Sequence, residues 1–167
     1  ILSSPYRMAR VLAFLDPFSD PAKSGYQLIQ SLIAVGSGGP LGVGLGAGKQ
    51  KLFYLPAAHT DFIYAVVAEE LGFVGALAIF GLVVVVAYRG FSIAKRLSAD
   101  PFLCSLAAGL TLLIFLPALL NIGVVLGLLP TKGMVLPLMS YGGSAMLVNL
   151  TIVGMLLALS KVDPYSI

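Results

Sequence analysis

Charge is the scarcest commodity in this chain. Of 167 residues only 10% are Asp, Glu, Lys or Arg, against 59% hydrophobic, and the mean hydropathy is +1.01. Soluble domains carry about 25% charged residues, so an ordinary globular domain and a disordered chain are both excluded. A polytopic all-α membrane protein remains, its core bounded by lipid rather than by water. Ten basic and seven acidic side chains leave a net charge of +3, too little to suggest a nucleic-acid partner. Cys104 is the single cysteine, which excludes an intrachain disulfide and is silent about redox compartment. A phosphate-binding glycine motif followed by Gly-Lys is missing, as is a nucleophile elbow. The sequence has no initiator Met and no cleavable signal pattern, and is read as a piece of something longer.

What is present is a set of charge-free stretches. Residues 71–88, 101–131 and 133–160 run for 18, 31 and 28 positions without a charge. A spanning helix needs about 20 mostly apolar residues, so each stretch holds one span and none comfortably holds two. The expected spans are 62–88, 102–127 and 134–159, rich in Leu, Val, Ala and Ile with scattered Gly. Residues 24–48 are also uncharged, but eight glycines crowd into them, and Gly36, Gly38, Gly39 and Pro40 break any helix near the middle. A short helix around residues 25–35 is expected, then a turn through Gly42, Gly44, Gly46 and Gly48. Irregular backbone at membrane depth is tolerated only under cover of protein or a watery cavity. Residues 1–61 therefore read as a large loop lying on, or dipping into, the membrane surface. Arg89, Lys95, Arg96 and Lys161 lie on one side of the spans, against Lys49, Lys51 and Lys132 on the other; this balance puts the long loop outside and the C-terminus inside.

Function is sought among polar groups that hydrocarbon would penalise. A charge at mid-membrane costs about 2.5–3.5 kcal/mol on insertion scales and usually faces a bundle interior or cavity. His59, Thr60 and Asp61 lie at the mouth of the first span. Thr60 or Asp61 is a natural N-cap; compatibly, Asp61 is a carboxylate placed to act as general base or, with His59, as a metal ligand. A lone His-x-Asp provides too few ligands for a metal site by itself. On a continuous helix Glu69 lies about 80° around from Asp61 and Glu70 on the opposite face, so only Glu69 can share a cavity with it. The structural alternative is that each glutamate holds an Arg or Lys of a neighbouring span.

Lys132 sits in a tight outer turn, where it either snorkels to headgroups or neutralises a phosphate of a lipid substrate. Pro137 and Gly142-Gly143 distort the last helix near its outer end. The hydroxyls of Ser140, Tyr141 and Ser144 then line a polar pocket, or the small residues simply permit close helix packing. Arg7, Arg10, Lys49 and Lys51 bind lipid headgroups or a pyrophosphate, or anchor the loop at the interface. Tyr6, Phe14, Phe18, Phe53 and Tyr54 fit an interfacial aromatic belt.

Seven motifs occur in one order: Ser24-Gly25-Tyr26-Gln27, Gly42-Val43-Gly44-Leu45-Gly46, Gln50-Lys51-Leu52, His59-Thr60-Asp61-Phe62, Glu69-Glu70-Leu71-Gly72, Pro130-Thr131-Lys132-Gly133 and Ser140-Tyr141-Gly142-Gly143-Ser144. Together they resemble the SEDS family (shape, elongation, division and sporulation). Asp16-Pro17-Phe18 and the run Gln50-Lys51-Leu52-Phe53-Tyr54-Leu55-Pro56 look more like its FtsW branch than like RodA. The resemblance covers nearly the whole chain but only the C-terminal half of the family's ten-span bundle, with residues 1–61 as the large extracytoplasmic loop and its short interfacial or re-entrant helices.

The resemblance implies a peptidoglycan glycosyltransferase that polymerises lipid II during cell division. The family's essential loop aspartate falls on Asp61, with Lys132, Ser140, Tyr141, Ser144, Lys51 and His59 expected at the substrate and Glu69 and Glu70 in support. It further implies dependence on a divalent cation (Mg or Mn), through Asp61 or His59. The implied partners are membrane lipids, a class B penicillin-binding transpeptidase (FtsI-like) and the regulators FtsQ, FtsL, FtsB and FtsN. The implied location is the bacterial inner membrane at the division septum. Family members usually carry Glu where this chain has Ala57, which weighs against two acidic groups sharing a metal with His59 and leaves Asp61 untouched. The alternatives are a lipid II transporter, which predicts polar residues through the full depth of the bundle, and a non-catalytic scaffold of the division complex.

Overall fold

The computed structural model describes residues 25–48 and 60–162, together with positions 14, 16 and 17. Among them every regular element is helical: α1 (Tyr26–Gly38), α2 (Ile63–Arg96), α3 (Pro101–Val125) and α4 (Gly143–Ser160). The last three are long and apolar enough to cross a membrane. Large side chains such as Leu82, Leu113, Leu147 and Leu157 remain exposed, as they do where lipid or further helices complete the packing.

Unbroken, the 34 residues of α2 would reach about 51 Å, well beyond a bilayer core of about 30 Å. Gly72 resolves the excess. Its φ of 69° and ψ of −165° lie in a region open essentially to glycine alone, and they divide α2 into residues 63–71 and 73–96. The first segment doubles back on the second, because the Tyr64 hydroxyl donates to the Ala76 carbonyl at 3.0 Å. On a straight helix those positions would stand about 18 Å apart, far beyond the reach of a tyrosine. The helix expected over 62–88 is thus broken at Gly72 and runs on past residue 88 to Arg96. Lys95 and Arg96 occupy its last turn, where cations complement the helix dipole.

A helix break orphans carbonyls on one side and N–H groups on the other. The glycine-rich strap after α1 supplies both partners. Val43 N–H and Gly44 N–H donate to the carbonyls of Glu69 and Glu70 at 3.0 and 3.1 Å, while Gly39 and Pro40 carbonyls accept from Phe73 and Val74 at 2.8 and 3.2 Å. Backbone approaches so closely that a Cβ at Gly42 would overlap the Glu70 carbonyl, and one at Gly72 would overlap the Gly42 nitrogen. α1 itself runs through Gly36 to Gly38, three residues past its expected end, and is pinned by Ser31, whose buried hydroxyl donates to the Val125 carbonyl at 2.7 Å.

α3 has the clearest local signals. Asp100 Oδ1 accepts from Phe102 N–H (2.8 Å) and Leu103 N–H (3.2 Å), with Pro101 opening the helix. At the other end Gly127, φ 70°, completes a Schellman turn in which Leu128 N–H donates to Gly123 and Gly127 N–H to Val124. α2 and α3 cross closely at Gly90, where any Cβ would overlap Thr111. Near the α2–α3 hairpin Arg96 donates to the Ser160 carbonyl, tying the far ends of α2 and α4 together. The core forms two clusters, one around Ala65, Ala68, Ala118, Val125 and Leu136, the other around Ala94, Leu97, Ala107, Ile152 and Leu156.

The third span also departs from expectation. Residues 134–142 are not helical, and α4 has only 18 residues, about 27 Å. Pro137 lacks the N–H that a continuing helix needs, and Leu138 sits at φ 64°, unusual for a leucine. The segment dips back into the protein. Leu136 joins the first core cluster, and residues 136–139 border a cavity of about 450 Å³ with Ile79, Val83, Ile114 and Ala118, two to three turns inside the end of α3.

Candidate active site

Asp61 is built into a turn rather than a helix cap. The N-cap position of α2 belongs to Phe62, and no side chain caps the helix, so the capping role expected of Thr60 or Asp61 is corrected. Two buried side chains hold the turn by its backbone instead. Ser140 Oγ donates to the Thr60 carbonyl (2.5 Å) and accepts from Leu136 N–H (2.7 Å). Asn121 Nδ2 donates to the Asp61 carbonyl at 2.7 Å and also to the Met134 carbonyl. With its main chain secured from both sides, Asp61 keeps its half-buried carboxylate for other work; among the described residues no side chain donates to it. It faces the outer turn, for a Cβ placed on Gly133 would stand 3.0 Å from Asp61 Oδ2.

The expected site residues fall into three groups. Asp61, Lys132 and Ser140 share the clamped region: Lys132 is exposed beside Gly133, and Ser140 is 5% exposed with its hydroxyl committed to the fold. Ser140 and Tyr141 border an open cavity of about 690 Å³ with Ile63, Met139, Gly142 and Met146. Tyr141 is 83% exposed. Ser144 is on the opposite side, bordering a cavity of about 290 Å³ with Pro117, Val135, Pro137 and Asn149. The cavities flank the uncapped first turn of α4, whose N–H groups and dipole favour negative charge.

Glu69 and Glu70 form the second group, at the far end of the nine-residue segment, against the strap. Glu70 Oε2 accepts from Gly46 N–H at 3.1 Å, and Glu69 is buried with Oε2 2.9 Å from the Cβ position of Gly48. Lys51 and His59 form the third group and lie outside the described residues, as do Ala57, Arg7, Arg10 and Lys49. Among the described residues no three acidic, histidine or cysteine side chains gather, and Asp61 is the one carboxylate at the turn. One carboxylate does not make a protein-built site for a divalent cation. Asn121, which ties the site together, was not expected from sequence; the available signal was an amide inside the uncharged run 101–131.

Three apolar helices, a glycine-broken first span and a re-entrant segment closing over an acidic turn define a multi-pass helical membrane protein. The chain belongs to the FtsW/RodA/SpoVE family of cell cycle proteins, whose profile matches residues 1–164. It is 51% identical over 158 residues to the probable peptidoglycan glycosyltransferase FtsW of Halomonas elongata, covering 93% of this chain and 40% of that protein. The protein of the same name from Thioalkalivibrio sulfidiphilus is 54% identical over 162 residues, 96% of this chain and 40% of its own length. That of Nitrosococcus halophilus is 56% identical over 156 residues, 92% and 40%. The chain thus spans about 40% of the length of these relatives. Among solved structures it is similar to a chain from work on polymerization and crosslinking by a peptidoglycan synthase complex, with TM-score 0.75 and 33% identity over 99% of this chain and 44% of that one.

Proposed function

We propose that this chain is the C-terminal, base-bearing part of a peptidoglycan glycosyltransferase that polymerises lipid II. The observation that carries the reading is the clamped turn: its backbone is held by Asn121 and Ser140, while the Asp61 carboxylate stays uncommitted beside the Lys132–Gly133 turn. Asp61 takes the proton from the 4-hydroxyl of the acceptor sugar, and the resulting nucleophile attacks the anomeric carbon of the donor. The new glycosidic O–C bond forms as the bond from that carbon to the lipid-linked pyrophosphate breaks. The leaving pyrophosphate carries away the electron pair, and Lys132, aided by the N–H groups of α4's first turn, offsets its charge. A divalent cation, expected from the family, would find only Asp61 among the described ligands here, and no step is routed through it.

The reading places the protein in the bacterial inner membrane at the division septum. A class B transpeptidase would crosslink the strands it makes, and FtsQ, FtsL, FtsB and FtsN would regulate the pair. A transporter needs polar groups along the full depth of the bundle. Asp61, Lys132, Ser140 and Tyr141 instead gather where residue 61, the re-entrant segment and the start of α4 meet, which favours chemistry on a headgroup. The test follows glycan polymer from labelled lipid II in the full-length protein purified with its transpeptidase, comparing the parent with Asp61→Asn. Loss of polymer from an intact complex is expected. Undiminished polymer would remove Asp61 as base and bring the transporter or scaffold forward.

A further inference from the structure

We infer that Asn121 is a positioning residue for the glycosyl transfer, setting the Asp61 turn and the Lys132–Gly133 turn in one register; this rests on Asp61 being the base. Asn121 lies one turn before the end of α3 and is 1% exposed. A carboxamide has two N–H donors, and both are spent on main-chain carbonyls, one of Asp61 and one of Met134. Those carbonyls belong to two irregular segments, residues 60–62 and 130–142; Ser140 links the two to each other through Thr60, and Asn121 fixes both to α3. A hydroxyl at position 121 could hold one of them. Only a group with two donors holds both against the same rigid helix.

The register so defined is the one that sets Asp61 Oδ2 against the Gly133 backbone, next to Lys132. The proton acceptor and the cation for the leaving group are therefore referenced to one amide. The opposite side of that amide reveals what the residue is kept for. Asn121 Oδ1 is buried with no partner among the described residues. A dry carbonyl is unfavourable, and leucine would fill the same space without it. Packing alone does not explain an asparagine here; its two donors do. Ser140 secures Thr60 independently, so losing Asn121 loosens the turn without releasing it.

The test compares Asn121→Leu and Asn121→Ser with the parent and Asp61→Asn, in full-length protein with its transpeptidase and labelled lipid II. A loosened turn displaces the base, and a displacement near 1 Å can cost about a hundredfold in rate. Asn121→Leu is expected to lower kcat about tenfold to a hundredfold, with KM for lipid II within about twofold of the parent and the complex intact. Asn121→Ser, able to reach one carbonyl, is expected to fall between. A parental kcat per folded molecule in either variant would overturn the inference, and so would failure of both to give folded complex, which would make Asn121 a residue of the fold alone. Inactive Asp61→Asn beside fully active Asn121 variants sinks only this inference. Active Asp61→Asn sinks the base assignment and the inference with it.

Discussion

Replacing Gly72 with alanine tests whether the fold brings Asp61 to its place. The new Cβ would overlap the Gly42 nitrogen and the Leu41 backbone, and alanine at φ 69°, ψ −165° carries a strain of about 1–3 kcal/mol. Both problems vanish if the strap lifts and α2 straightens. That route forfeits the four bonds made by Val43, Gly44, Phe73 and Val74, and the straight helix regains two of them as Phe73 and Val74 turn to the Glu69 and Glu70 carbonyls; the net loss of two, at about 0.5–1.5 kcal/mol each, is about 1–3 kcal/mol. Straightening also carries residue 61 about 16 Å from residue 72 along the helix axis, away from Asn121 and Ser140. Hydrogen exchange read by mass spectrometry in detergent should show the amides of 43–44 losing most of their protection, while those of 73–74 stay protected inside the straightened helix. Glycan polymerisation should fall together with that loss. Retained protection and parental activity in Gly72→Ala would refute the view that a glycine-only break positions the site.

Two smaller perturbations separate the folded-back segment from the rest. Tyr64→Phe removes the bond to the Ala76 carbonyl and should cost about 0.5–1.5 kcal/mol, seen as a lower melting temperature and faster exchange confined to residues 63–71. Asp100→Ala removes the cap of α3 at the end remote from Asp61. It should cost about 1 kcal/mol in a melting experiment and leave polymerisation per folded molecule unchanged.

The polar groups divide by the work they do. Ser31, Ser140 and Asn121 spend their donors on carbonyls that no helix satisfies, at the end of α3 and in the turn at residues 60–61. Backbone of this kind is admissible at membrane depth because protein covers it and satisfies it. Glu69 and Glu70 brace the strap that repairs the broken helix, and their separation from Asp61 is a consequence of the same break. Among the described acidic groups Asp61 alone is left with its main chain held and its carboxylate facing the Lys132–Gly133 turn.

Hydrophobic run length by itself marked out the three helices that, among the described residues, are long and apolar enough to cross a membrane, because a bilayer of fixed thickness demands about 20 apolar residues and penalises charge within them. Asp100-Pro101 and Gly127 mark the ends of α3 by purely local chemistry, a side-chain cap and a left-handed glycine, and both were legible there in principle. The seven ordered motifs identified the family and singled out Asp61. Three things lay beyond any local signal. Gly72 breaks a helix that its neighbours would happily continue, because a strap 30 residues earlier supplies the bonds that continuation would have made. Residues 134–142, expected as the opening of a span, fold back as irregular chain, because Leu136 fills a core formed by α2 and α3. Asn121 was one amide in an apolar run until the fold brought the Asp61 and Met134 carbonyls to it. Each depends on a hydrogen-bond partner or packing surface distant in sequence, and only tertiary structure decides where those arrive.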